Sequence, residues 1–274
     1  MLYYWYNINL EEFNMKKILA IVLALALLVL CCAGCGSKEN KKLLVATNAE
    51  FEPFESLTAD GQFVGFDIDL MNAIAAKMGY EVQYENMEFD GVVAAVANGT
   101  TDLAISGLTI NAKRAKSVNF SDPYYDGAAQ ILIVGKDDAY YTGTDKAALD
   151  EQLKGQNIGV CSGYTGQFYA EGSEDWGFKK IEGANVKIYE NISLAIADLK
   201  AGNINAIIMD DSVAKEAANA NADVAKVIDI PLTVEEYGIA IDKTNPELKE
   251  KIDAALAELV ADGTVAKLLE KYGL

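Results

Sequence analysis

The sequence predicts an α/β protein of two lobes, each a parallel-dominated sheet covered by helices. Three observations carry this expectation. From residue 43 to 105, short apolar runs alternate with helix-periodic stretches in the order βαβαβ. The same alternation restarts near Ala129 and runs to Ile228. One more strand and two helices follow from Tyr237, a tail expected to pack on the first lobe.

In the first unit, residues 43–47 form an apolar strand. Residues 67–78 set Met71, Ile74, Ala75 and Met78 at helical spacing, and Gly79 fits the stop. Residues 81–86 alternate, with Val82 and Tyr84 on one face. A short helix over 91–98 carries Val92, Val93 and Val96 and ends at Gly99, and residues 103–105 are the next strand. Gly107 breaks that strand, and Asn111 caps a helix expected over 112–118.

The second unit reads as strands over 129–134, 157–160, 187–189, 206–209 and 225–228. Helices lie between them: 147–153 capped by Thr144 or Asp145, one from about Gln167, 192–201 after Asn191, and 212–220. In the tail, residues 237–241 form a strand and Asn245-Pro246 is an N-cap and first-turn pair. The following helix runs to Ala261 and buries Leu248, Ile252, Leu256 and Leu259. Gly263 stops it, and Thr264 caps a last helix to Tyr272.

Composition narrows the function classes. The chain has 274 residues and a net charge of −18, with 41 acidic against 23 basic side chains. Such a balance argues against nucleic acid and against a polybasic membrane surface. Histidine is absent, which removes the commonest general base and a common metal ligand, so neither a metal site nor a cofactor is expected.

The first 42 residues read as export and anchoring. Residues 1–14 are unlike the rest of the chain, whereas Met15-Lys16-Lys17 precedes thirteen apolar residues, 18–30, in the manner of a secretion signal. Translation is expected to start at Met15, with 1–14 a mis-assigned extension or else an unusual leader. Residues 1–34 then fall outside the fold. Ala33-Gly34-Cys35 is similar to a lipobox, although Cys32 stands where a leucine is usual, so Cys35 is the expected site of lipidation and 35–42 the tether. The other reading is a plain membrane anchor over 18–35. Cys161 is then alone in the mature domain, so no internal disulfide is expected.

Residues 101–125 concentrate the chemistry. A strand, Gly107, a short loop and a helix start present backbone N–H groups to an anion. Arg114 lies near that helix start, and its planar guanidinium can hold a carboxylate through two parallel bonds. Bare chemistry thus suggests a small-carboxylate site, or a surface arginine on an amphipathic helix.

Gly107-Leu108-Thr109, then Arg114, followed by Phe120-Ser121-Asp122-Pro123-Tyr124-Tyr125, resembles the amino-acid branch of the bacterial extracellular solute-binding proteins, the capture subunits of ABC importers. A second stretch agrees, from Val45 through Asn48, Glu50, Phe51, Pro53 and Phe54 to Glu55, then Gly65-Phe66-Asp67-Ile68-Asp69-Leu70. The likeness runs from about 43 to 274. It implies a periplasmic-binding-protein-like fold joined by two hinge strands near 124–128 and 233–237. Lobe 1 would comprise 43–125 and 236–274, and lobe 2 residues 126–235, with ligand held between them at strand carboxyl ends.

The resemblance also assigns roles. Arg114 would grip an α-carboxylate, helped by the Thr109 and Thr165 amides. Asp210 would hold the α-ammonium, with the Gly107 carbonyl and the Thr109 hydroxyl; Ser106 precedes them in the same loop. Asp210 could instead be a helix N-cap beside Asp211. Phe51 and Phe89 would flank the ligand side chain, or belong to the core. Asn48 and Glu50 fall at the side-chain end; cation-preferring relatives often carry an acid where this chain has Asn48, and Glu50 could restore that preference. Cys161 and Gln167 lie near the same end. The implied ligand is a free polar or charged amino acid. The implied partners are an ABC permease with its cytoplasmic ATPase and, through the acyl anchor, the bilayer. The protein would be an exported monomer, anchored on the outer face of the cytoplasmic membrane, and not an enzyme. The alternative on the same fold is a cyclohexadienyl or prephenate dehydratase, which needs a positioned carboxylic acid.

Overall fold

The computed structural model describes Lys41–Leu274, which form one compact unit. The signal segment, Cys35 and residues 35–40 of the tether lie outside the described residues. Strand β1 (Lys41–Thr47) begins inside the stretch read as tether: Lys41 and Lys42 pair with Tyr80 and Glu81. Three short strands follow that the sequence does not predict, β2 (Glu50–Phe51), β3 (Glu55–Leu57) and β4 (Phe63–Val64). They form a small antiparallel sheet, too short to show a hydrophobic period. Helix α1 (Phe66–Met78), strand β5 (Tyr80–Asn86), helix α2 (Phe89–Ala97) and strand β6 (Leu103–Ala104) complete the βαβαβ unit.

Helix α3 (Ala112–Ala115) is one turn, capped by Asn111 as expected but shorter than 112–118. The amides of Lys116 and Ser117 close tight bonds onto the carbonyls of Lys113 and Arg114, and the chain turns into β7 (Asn119–Phe120). Strand β8 (Tyr125–Ala128) then leads to the second lobe.

That lobe holds β9 (Gln130–Gly135), α4 (Lys146–Leu153), β10 (Asn157–Cys161), α5 (Thr165–Glu171), a 3-10 turn at Glu174–Trp176, β11 (Asn185–Tyr189), α6 (Ile192–Lys200), β12 (Ala206–Asp210), α7 (Asp211–Ala220) and β13 (Ala225–Ile228). Strand β14 (Glu235–Tyr237) runs back against β8, β15 (Ala240–Ile241) rejoins the first sheet, and α8 (Pro246–Ala261) and α9 (Thr264–Tyr272) finish the chain. Helix α8 lies on α1, where Lys77 bridges Glu258 at 3.2 Å and Asp262 at 3.1 Å. Thr264, expected as the last cap, is instead the first helical residue; Gly263 is the cap, and Asp262 accepts the Thr264 amide.

The two sheets share one plan. The first is ordered β5-β1-β6-β15-β7 and the second β11-β10-β12-β9-β13. In each, three parallel strands are extended by an antiparallel one, β15 or β9, which adjoins the crossing pair β8–β14. β9 reads Gln-Ile-Leu-Ile-Val-Gly without alternation because both of its faces are buried. The fold is thus a mixed α/β, two-lobed, periplasmic-binding-protein-like one.

Beneath the cleft, lobe 1 buries two acids side by side. Glu55 Oε1 accepts from the Ser106 hydroxyl at 2.7 Å, and that hydroxyl takes the Asn48 amide at 3.0 Å. Asp67 Oδ2 accepts from the Gly107 amide and the Tyr124 hydroxyl, each at 2.8 Å. Burial raises both carboxyls, Asp67 to about 6 and Glu55 well above its ordinary value, with Asp67's charge adding to the rise of Glu55. One proton held between the pair relieves the repulsion, as in a carboxylate dyad. The pair pins Gly107 at φ +51, where a Cβ would fall 2.4 Å from the Phe51 ring.

The folded dyad holds a proton that the unfolded chain releases near pH 4, so stability falls as pH rises above about 4, by about 1.4 kcal/mol per unit for the retained proton. Glu55→Gln, which stays neutral and can still bond Ser106 and Asp67, should flatten that slope. Urea midpoints from pH 4 to 7 check this; superimposable profiles would contradict a retained proton on Glu55.

Candidate functional site

The site forms where three carboxyl-end loops meet the crossing strand β14. The loop after β6 supplies Gly107 and Thr109, and α3 follows with Arg114. The loop after β10 supplies Gly163, Tyr164 and Thr165, and β12 ends at Asp210. Phe51, Phe89, Gly107, Thr109, Arg114, Tyr164, Thr165 and Asp210 line a narrow gap between the lobes, closed too tightly to admit a water molecule. These carboxyl ends are where an open α/β sheet gathers ligand groups.

Arg114 is 8% exposed. Its guanidinium donates to the Thr109 carbonyl at 3.0 Å and, across the cleft, to the Gly163 carbonyl at 3.2 Å. Its Cζ also lies 5.3 Å from the Phe89 ring centre and 5.1 Å from that of Trp176. Burial pulls the guanidinium down to about 10, opposed by the charges of Glu235 and Asp210, so it stays a cation at neutral pH. The two carbonyl bonds use two of its five N–H donors.

Gly163 lets the lobe-2 loop reach Arg114. It sits at φ +76, and a Cβ there would come within 3.1 Å of Asp90 in α2.

Asp210 stands at the N-cap position of α7, but its side chain caps nothing. It takes the Tyr237 hydroxyl instead, at 2.6 Å, and is 4% exposed. Burial and then the charge of Glu235 raise its carboxyl to about 7. The geometry therefore disfavours the capping alternative.

Sequence reasoning missed Glu235, at the centre of the cluster. Its Oε2 lies 2.8 Å from both the Thr109 and the Thr165 hydroxyls, which are 3.0 Å from each other. Its Oε1 accepts from Gln130 Nε2 at 3.1 Å and from the Thr233 hydroxyl at 2.6 Å. The available signal was strand alternation: Glu235 and Tyr237 are buried on one face of β14, and Glu236 is exposed on the other. Tyr164 was also missed; it is 5% exposed and reaches from lobe 2 into lobe 1.

Five expected site residues lie outside this lining. Asn48 donates Nδ2 to the Met87 carbonyl and accepts the Tyr164 hydroxyl on Oδ1. Ser106 is fully buried under the loop, bonded to Glu55. Gln167 turns back to take the Gly163 amide and to donate to Glu171. Cys161 is buried, which pushes its thiol up to about 12, with lesser contributions from Asp210 and Glu50. Glu50 is exposed and borders a separate interlobe cavity of about 540 Å³. Among the described residues, no group of three or more acids or cysteines is arranged to hold a metal ion.

The proximity of two buried acids has a measurable sign. Repulsion from Glu235 raises the Asp210 carboxyl, so Glu235→Gln should return Asp210 toward the ordinary carboxyl range. Carbon-13 NMR titration of the Asp210 carboxyl should give a midpoint near 7 in the parent and a lower one in the variant. An unchanged midpoint would mean that burial alone sets it.

Residues 43–274 match the model of the bacterial extracellular solute-binding proteins, family 3. A probable histidine-binding protein of Neisseria gonorrhoeae is 33% identical over 271 residues, covering 94% of this chain and 96% of that one. The ABC transporter arginine-binding protein 1 of Escherichia coli K12 is 34% identical over 241 residues, 86% and 93% of the two chains. Among solved structures, an ancestral arginine-binding protein bound to glutamine superposes with a TM-score of 0.72 at 38% identity, covering 85% of this chain and 98% of that one. Matched over its whole described domain and 33% identical to relatives of nearly its own length, the chain belongs to family 3 of the bacterial extracellular solute-binding proteins.

Proposed function

We propose that the protein captures a free α-amino acid with a polar or charged side chain between its lobes and delivers it to the permease of an ABC importer. One observation carries this reading. Arg114 on lobe 1 and Asp210 on lobe 2 line the same gap, a cation and an acid that match the two ends of a zwitterion. Arg114 can address the α-carboxylate with its remaining donors, and Asp210 the α-ammonium. A ligand touching both lobes favours closure through its contacts with each. The relatives named for histidine and arginine suit a ligand of this class.

The dehydratase alternative has two observations on its side. Asp210 is raised to about 7, the range of a general acid at neutral pH, and a solved relative at 34% identity is an amino-acid-binding precursor of cyclohexadienyl dehydratase. An ammonium group beside Asp210 would return it to the carboxylate. The receptor reading therefore expects calorimetric heats from α-amino acids and no turnover of prephenate.

Truncating one partner of a buried charge pair costs about 2–5 kcal/mol, so Arg114→Ala should weaken the best ligand by ~30-fold to several thousand-fold. Arg114→Lys should recover little, since an ammonium lacks the planar fork. Binding within threefold of the parent in both variants would refute the clamp. Cys35, after Ala33-Gly34, is the proposed lipid attachment site on the outer face of the membrane. Mass spectrometry of membrane-extracted protein should find a diacylated N-terminus there, and Cys35→Ala should lose it; an unmodified N-terminus elsewhere would exclude the anchor.

A further inference from the structure

The space between Phe51 and Phe89 is filled from within the chain. Tyr164 enters it from lobe 2, its ring centre 4.3 Å from that of Phe89 and 5.5 Å from that of Phe51. Aromatic pairs usually sit 4.5–7 Å apart, so nothing can be inserted between Tyr164 and Phe89. The Phe89 ring also meets the Arg114 guanidinium. At its far end the Tyr164 hydroxyl donates to Asn48 Oδ1 at 3.2 Å, and Asn48 Nδ2 is held by the Met87 carbonyl. Both polar ends of Asn48 are therefore engaged in positioning the tyrosine.

We infer that Tyr164 determines specificity by occupying the side-chain compartment, so that the site selects α-amino acids with short polar side chains, of the serine, asparagine and aspartate class, over long ones such as arginine. This rests on the amino-acid reading above and deepens it. Arg114, Thr109, Thr165 and Asp210 are placed for the α-groups, which every amino acid shares. Selection must then come from what lies beyond the α-carbon, and there the structure presents the face of Tyr164. A long side chain has to displace a ring that is 5% exposed, packed on two phenylalanines and tied by its hydroxyl. A short one demands less of that space. Gly163 allows the ring's entry: its φ is +76, and a Cβ there would meet Asp90 at 3.1 Å, so the loop comes this close to lobe 1 only with glycine.

Calorimetric titration of the full mature chain with asparagine, serine and arginine tests this, alongside Tyr164→Ala, Tyr164→Phe and Asn48→Ala. The parent should bind asparagine or serine at least tenfold tighter than arginine. Tyr164→Ala should shift the arginine-to-asparagine ratio of affinities by at least tenfold toward arginine. Tyr164→Phe, which keeps the ring, should leave the parent's preference in place, and Asn48→Ala should relax it partway. A parent that prefers arginine overturns the inference whatever the variants do, including variants that fail to fold. An unchanged ratio in a folded Tyr164→Ala, shown by circular dichroism and a cooperative melt, overturns it as well. If the parent binds no α-amino acid at all, the receptor reading itself falls and the inference with it, whereas binding with the wrong preference leaves that reading standing.

Discussion

The Glu235 carboxylate is the interaction on which the rest of the site depends. Its four donors come from the loop after β6, the start of α5, the start of β9 and the turn before β14. Those segments belong to both lobes and to the connection between them. Hydrogen bonds to a charged group contribute about 1.5–3 kcal/mol each, and a buried carboxylate without them would be strongly unfavourable. Glu235 therefore fixes where Thr109 and Thr165 sit, and with them the two loops that face each other across the gap. Its charge also acts on both neighbours, favouring the Arg114 cation and disfavouring the Asp210 anion.

The same strand carries the wall behind the gap. Tyr237 is 1% exposed, bonds Asp210 through its hydroxyl, and packs its ring 5.3 Å from Phe54 and 5.5 Å from Tyr125. Val234, one residue before Glu235, is 87% exposed. Strand β14 thus has one face that builds the site, with Glu235 and Tyr237, and one that meets solvent at Glu236. In the proposed closure, β14 and its partner β8 would be the connections about which the lobes move.

Much of this was legible in the sequence. The alternating apolar runs predicted both α/β lobes because a strand's period and a helix's period differ plainly over ten residues or more. Asn111 and Asn245 read as caps and accept the amides of Arg114 and Leu248, and Asn191, which reads as the residue before a helix, accepts that of Leu194. Gly107, Thr109, Arg114, Thr165 and Asp210 were named through their place in a motif, and they converge. What failed was whatever depends on direction in space. A two-residue strand carries no period, so the β2–β3–β4 sheet was invisible. Gln167 and Asn48 are polar side chains beside the site, and only geometry shows that their hydrogen bonds go to the protein. Glu235 is one of two adjacent glutamates in a connecting strand and Tyr164 an aromatic in a glycine loop, and neither stands in the quoted motifs.

The charges in the gap explain why a cluster with more acids than bases is tolerable. Arg114 contributes one positive charge against Asp210 and Glu235, in a region where an unpaired ion is expensive. Asp210, raised to about 7, is the member that yields, holding a proton under mildly acidic conditions. In the proposed clamp an arriving ammonium group would supply the missing positive charge and favour the carboxylate, so ligand entry and proton release from Asp210 would be coupled. By the same linkage the proposed clamp would weaken in a more acidic exterior, because the proton would compete with the ammonium for one oxygen pair. Lobe 1 differs in kind. The Glu55–Asp67 dyad is sealed beneath the loop and touches Ser106 and Gly107, so its proton bears on folding alone. Asp210 is raised too and also bears on folding, but it lines the gap, where in the proposed clamp the ligand's charge could reach it.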